Sequence, residues 1–253
     1  MRTQKKIDYR ELIDKGNHFG HNVIIEEGTS IGYNNCFHDN CVVKRGTSIG
    51  NDNIFETGSV IGELPREYIT GSAKKKNILD YPKVIIGDGN LFEAYSVIQG
   101  ALETETMIGN RVCIGTHSNI AHDVNVCDDV IISSHCSVAG YSIILEHSNI
   151  GMGAMIHQRV VLGAFSMIGA GAIVVNHIAP TALVVGVPAF FLRSNSVGLE
   201  RNGVSKAEIE KIEEWLKSGC VEECIPEYIM MHYDRFKEKI MVWNHNKKVI
   251  PSL

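Results

Sequence analysis

Proline and tryptophan are scarce in this chain, with six and two residues among 253, and no stretch of apolar residues is long enough to cross a membrane. A spanning helix needs about 18 or more consecutive apolar residues, so no membrane span is expected. The opening MRTQKKIDYR lacks the apolar segment of a secretory leader. Positive charge is also short. Lysine and arginine total 24 against 29 acidic residues, a formal charge of −5, and a nucleic-acid footprint is therefore not expected. The seven cysteines are odd in number and scattered, with no C-x-x-C pair. That usage fits a reduced setting and predicts a cytoplasmic protein. What is plentiful is glycine, 24 residues, and aliphatic side chains, within a hydrophobic content of 44%. Together they predict many turns, a sizeable core and one or two domains.

The aliphatic residues carry a repeat of six. Ile25, Ile31, Phe37, Val43, Ile49, Phe55 and Ile61 are evenly spaced, as are Ile86, Phe92 and Ile98. A third series of twelve begins Ile108, Ile114, Ile120, Val126 and ends Ile156, Leu162, Ile168, Val174. A helical face needs a period of 3.6 and a half-buried strand a period of two. A period of six fits a parallel β-helix, in which each unit gives one short strand and one corner and three units close a triangular coil. The 22 inward positions predict roughly seven coils. Each buried aliphatic side chain contributes about 1.5–3 kcal/mol, and single units cannot bury their own face, so the array must stack. A glycine often follows the inward residue, as at Gly32, Gly50, Gly109, Gly151 and Gly169. It is expected there because a corner calls for positive φ.

Two breaks in the repeat predict loops at 63–85 and 99–107, the first carrying Lys74, Lys75 and Lys76, read as a solvated tip. Loops that leave a solenoid commonly line its binding surface. Tyr9 to Lys15 is read as a cap on the first coil. From about 190 the pattern fades into helix signals. Ser205 and Glu208 form a capping box, Ile209, Ile212, Trp215 and Leu216 share a helical face, and a second helix is expected within 226–243. The chain thus divides into a β-helix over 1–190 and a helical region over 191–253. Cys220 and Cys224, spaced C-x-x-x-C, are read as packing residues.

His122 and Asp123 break the aliphatic rhythm near a corner. The residues alone leave two readings, a solvated edge histidine or a base. A carboxylate next to a histidine can fix its tautomer, and an imidazole is poised near pH 7 for general-base work worth about 10²–10⁴ in rate. His157, followed by Gln158, lies 35 residues on, close to two coils away.

Residues 20–250 resemble the UDP-N-acetylglucosamine acyltransferase family of lipid A biosynthesis. Four stretches carry the resemblance: IAHD (120–123), AGY (139–141), IHQ (156–158) and NSVGLERNG (195–203), in matching order and spacing. It implies a left-handed parallel β-helix with a small C-terminal α-helical region, assembled as a homotrimer with active sites in the clefts between neighbouring helices. It implies an acyltransferase that moves a 3-hydroxyacyl group from acyl carrier protein to a UDP-linked amino sugar, with no bound cofactor and no metal. By position, His122 resembles the general base, Asp123 its orienting partner and Gly140 the backbone donor to the oxyanion. His157 and Gln158 match substrate-contacting positions, Asn195 and Arg201 the nucleotide end, and Ala170 the place where bulk limits acyl length. The chain departs from the family at Asn119 and Tyr141, both expected as histidine, at Phe92, expected as arginine, and at Gln99, where a nearby histidine is missing. It also has a short loop over 99–107 and one early coil fewer. Asn119 and Tyr141 are thus substrate-side positions that differ, which opens the acceptor to a hydroxyl or an amine.

Three rival readings remain at this level. A coenzyme A-dependent nucleotide-sugar acetyltransferase uses the same scaffold, and VVGVPA (184–189) resembles the ending of that class. A metal enzyme of the γ-carbonic anhydrase type would use His117 and His122, yet no histidine lies between His38 and His117 to supply the third ligand. A non-catalytic trimeric scaffold is the third.

Overall fold

The computed structural model describes residues 9–67, 83–218, 225–242 and 249–250. Most of the loop at 63–85, with Lys74 to Lys76, and both Cys220 and Cys224 lie outside the described residues. The chain winds into a left-handed parallel β-helix of about eight coils. Its three faces are stacks of two- to five-residue strands. The first face holds the strands His18–Phe19, Cys36–Phe37, Ile54–Phe55, Leu91–Phe92, Cys113–Ile114 and their successors. The second runs from Ile24–Ile25 to Ile173–Val174, and the third from Ser30–Ile31 to His177–Ile178. In the regular coils each inward residue stacks on its counterpart 18 residues away, as Ile120 does on Val138 and Val138 on Ile156. The two loops add residues without disturbing that alignment, so Phe55 pairs with Phe92 and Ile98 with Ile120.

The expected coil count of about seven is low. Phe19 pairs with Phe37, and Ile178 and Val184 pair with Leu162 and Ile168. The stack therefore extends past both ends of the six-residue repeat; the last coils evade it because the step from Val174 to Ile178 is only four residues. The core is a column of fully buried side chains. At the first-face corner Phe19, Phe37, Phe55 and Phe92 lie ring over ring at centroid spacings of 5.2, 4.7 and 4.7 Å.

The glycine expectation is corrected. Of the glycines that follow an inward residue, Gly62 has positive φ, at 84°, but Gly32, Gly109 and Gly151 do not. They are glycine because the next coil is too close: a Cβ on Gly151 would stand 2.7 Å from both Ala170 N and Ile168 O. The left-handed backbone falls two residues later and is held mostly by other residue types, including Asn34, Asp52, His117, Asp123, Tyr141 and Arg159, with φ between 56 and 62°.

Helix α1 (Tyr9–Asp14) caps the first coil, with Leu12 packed on the core. At the other end, the strand Phe190–Ser194 turns back antiparallel onto Ala182–Val185, so the 190/191 division falls inside a paired strand. Among the described residues three helices follow, α2 (Ser196–Arg201), α3 (Lys206–Ser218) and α4 (Glu227–Val242). The capping box forms: Ser205 Oγ and Glu208 Oε2 are 2.6 Å apart, and the Ser205 N–H donates to the same oxygen. Ile209, Ile212, Trp215 and Leu216 bury against Ile143, Leu145 and Val161 of the third face, with Phe236 of α4 in the same cluster. Val249–Ile250 adds a last strand to that sheet. The helices thus cover the later coils of the third face, from about Ile143 on, whereas Met107 lower on that face is 39% exposed and the first and second faces are open. Ile131 on the first is 47% exposed and Met155 on the second 52%. Among the described residues, no helix is long and apolar enough to cross a membrane.

Candidate active site

The corner between the second and third faces repeats every 18 residues through the middle of the stack. Ala121, His122 and Asp123 form one level, Ala139, Gly140 and Tyr141 the next, and His157, Gln158 and Arg159 the third. Histidine thus stands in the third level where the two levels below hold alanine. Gln158, not His157, is in step with His122. Because Asp123 takes the left-handed conformation at φ 57°, its side chain turns back beside the ring that precedes it.

Asp123 Oδ2 lies 3.0 Å from His122 Nδ1, and its side chain is only 1% exposed. The loop after Gln99 is wrapped around this carboxylate. Leu102 N–H donates to Oδ2 at 2.8 Å, and the N–H groups of Glu103 and Thr104 donate to Oδ1 at 3.0 and 2.8 Å. Thr104 Oγ1 adds a contact at 3.2 Å. Burial opposes the charge, but the hydrogen bonds from His122 and from the Thr104, Leu102 and Glu103 amides outweigh it and hold the carboxyl at about 2. An ionised Asp123 needs a donor opposite it, which sets the proton on Nδ1 of a neutral ring and leaves the Nε2 lone pair outward.

Nε2 faces a cleft of about 550 Å³ on the second face, lined by Asn119, His122, Ser137, Gly140, Met155 and Gln158 among others. Glu67 Oε2 stands 4.0 Å from Nε2. Gly140 sits over the imidazole, and among the described residues no group accepts from its N–H. The site therefore offers a fixed acceptor of protons beside a free backbone donor.

Of the residues singled out in the sequence, His122, Gly140, Asn119 and Gln158 meet in this cleft, with Asp123 behind the base. Tyr141 packs edge-to-face against the His122 ring, centroids 5.0 Å apart, and is not among the cleft's lining. His157 is exposed, its Nδ1 3.2 Å from the Gln158 carbonyl. Asn195 and Arg201 line a second cleft of about 580 Å³ at the first face, with Asp129 and His147. Asn195 also caps α2 by accepting from Gly198 N–H. Ala170 is exposed at the corner between the first and second faces. His117 lies at that same corner, stacked between Tyr95 and His135, so it and His122 occupy different edges of the prism. Sequence reasoning misses Glu67, the amides of 102–104 and Arg159. Only Arg159 carries a signal, its 18-residue step from Tyr141.

No known protein-family profile matches the chain. Among curated proteins it is 32% identical over 157 residues to an acyl-[acyl-carrier-protein]–UDP-N-acetylglucosamine O-acyltransferase of Gloeothece citriformis, covering 61% of this chain and 54% of the relative. It is 31% identical over 134 residues to a protein of the same name from Aliivibrio fischeri, covering 51% and 50%. The chain thus matches about half the length of these relatives. In fold it is similar to a UDP-N-acetylglucosamine acyltransferase from Bacteroides fragilis, with a TM-score of 0.72 at 24% identity over 92% of this chain and 95% of that one. An enzyme structure from Acinetobacter baumannii gives a TM-score of 0.68 at 23% identity over 89% and 90%.

Proposed function

We propose that this chain is an acyltransferase that moves a 3-hydroxyacyl group from acyl carrier protein to a hydroxyl or amine of a UDP-linked amino sugar, with His122 as general base. The observation that carries the reading is the His122 ring, oriented by a buried, ionised Asp123 and open at Nε2 to a cleft. The names of the curated relatives support the donor and the sugar class.

In this mechanism Nε2 takes the proton of the acceptor hydroxyl as its oxygen attacks the thioester carbonyl. The new C–O bond forms and negative charge gathers on the carbonyl oxygen, where the Gly140 N–H donates to it. Collapse breaks the C–S bond, and the imidazolium returns its proton to the departing thiolate. An amine acceptor follows the same course with nitrogen as nucleophile. Protons and electrons balance without a cofactor or metal. A donor borne on acyl carrier protein implies a cytoplasmic reaction.

The assembly we propose is a homotrimer. The chain's own helices cover the later coils of the third face, and the first and second faces carry exposed apolar side chains and a cleft each. A closed ring of copies joins the first face of one to the second face of the next. It brings Asn195 and Arg201, as the nucleotide-binding end, toward a neighbour's His122, with Ala170 along the path of the acyl chain. The other matched position, His157, borders the sugar beside Gln158.

The test supplies purified protein with 3-hydroxyacyl carrier protein or acetyl-CoA and a set of UDP-sugars, with products read by mass spectrometry. Acylated UDP-amino sugar from the carrier-protein donor is expected. Turnover with acetyl-CoA alone, or none with any UDP-sugar, contradicts the reading.

A further inference from the structure

We infer that Tyr141, Arg159 and Glu103 form a clamp that aims His122, so that Tyr141 is a positioning residue behind the base. This rests on His122 being the base.

The clamp follows from the coil register. Asp123, Tyr141 and Arg159 are 18 residues apart at one corner, with φ of 57, 62 and 57°. The shared left-handed backbone stacks their side chains in one column. The Tyr141 ring meets the His122 ring at 83°, an edge-to-face contact, and the Arg159 guanidinium lies 4.5 Å from the Tyr141 centroid. Both are favourable geometries for an aromatic ring. Tyr141 is therefore held between the imidazole and a cation.

Glu103 joins the two supports of the imidazole. Its N–H donates to Asp123 Oδ1 at 3.0 Å, and its carboxylate accepts from the Tyr141 hydroxyl. The loop that carries it adds four residues to a coil of 18, since Ile98 pairs with Ile120. Burial, followed by the negative charges of Asp123 and Glu103, pushes the Tyr141 hydroxyl up to about 12. It stays protonated and engaged with Glu103, and so takes no proton from an acceptor. Its absence from the cleft's lining argues the same way. The ring contact is thus the part of Tyr141 that matters to the base.

Two measurements test the clamp. In steady-state kinetics, Tyr141→Phe keeps the ring and should hold kcat within about threefold, whereas Tyr141→Ala should lower kcat on the order of 10- to 100-fold with KM for the UDP-sugar nearly unchanged. Arg159→Met should fall in the same direction and Arg159→Lys recover part of the loss. A raised KM with unchanged kcat in Tyr141→Phe would make the hydroxyl a substrate contact and overturn the clamp. The second measurement needs no turnover. The His122 Nδ1–H resonance should persist in Tyr141→Phe and broaden or vanish in Tyr141→Ala, at an unchanged thermal midpoint. An undisturbed resonance in Tyr141→Ala overturns the clamp. Full activity in His122→Ala removes the base instead, and the resonance still judges the clamp.

Discussion

Gly140 lies one coil above His122 at such close range that a Cβ on it would stand 2.5 Å from the ring Cε1 and 2.7 Å from Nε2. Glycine here serves the neighbouring side chain, since its own φ is ordinary. Gly140→Ala must displace an imidazole that Asp123 holds by its other edge. We expect kcat to fall on the order of 10²-fold, while the urea midpoint shifts little because the coil backbone is not involved. Wild-type kcat in a folded Gly140→Ala protein would show that the ring is not confined.

Asp123 makes a second prediction, in pH. Its carboxyl titrates at about 2 in the folded chain against an ordinary 3.8. A lowered folded-state pKa gives stability that is complete above the unfolded value, near pH 4, and lost as pH falls through about 2. The size is about 2 kcal/mol. Urea titrations between pH 2 and 5 should show this loss, and Asp123→Asn should flatten it. The same variant frees the Nδ1 proton from its orienting charge and should lower kcat by roughly 10²-fold or more.

The phenylalanine column makes a third. Phe55 is fully buried between Phe37 and Phe92. Phe55→Ala leaves a cavity between stacked rings and should cost about 3–5 kcal/mol in urea unfolding. His122 lies two coils away at the corner between the other two faces, so kcat of the protein that remains folded should be unchanged.

Two glycines separate close approach from backbone conformation. Gly153 has φ 71° and open space around its Cβ position, while Gly151 abuts the backbone at Ala170 and Ile168. Gly153→Ala should cost about 1–2 kcal/mol, and Gly153→Asn less, because asparagine tolerates the left-handed region. At Gly151 both substitutions should cost about 1–3 kcal/mol by overpacking, with no advantage for asparagine. Thermal unfolding of the four variants gives the comparison.

The coil architecture is legible in the sequence because the inward position admits only apolar side chains and recurs every six residues; Ile108 to Val174 runs without a gap. It is lost at the ends, where the step from Val174 to Ile178 shortens. The helix α3 is legible through Ser205, Glu208 and its apolar stripe. The His122–Asp123 pair is visible as residue types, yet adjacency in sequence says nothing of contact; the left-handed φ of Asp123 makes it. Nothing in the letters of the loop 99–107 shows that three of its amides converge on one carboxylate, since backbone donors carry no residue signature. Apart from Gly62, the glycines that follow the inward residues suggest the wrong property, because the sequence displays flexibility and conceals the neighbouring coil.

The most direct measurement is the rate at which His122→Ala transfers a 3-hydroxyacyl group from carrier protein to UDP-N-acetylglucosamine or its 3-amino counterpart, beside wild type under the same conditions. With folding confirmed by an unchanged thermal midpoint, the rate should fall by about 10²–10⁴ while the UDP-sugar still binds. A His122→Ala protein that transfers acyl groups at the wild-type rate would contradict the account.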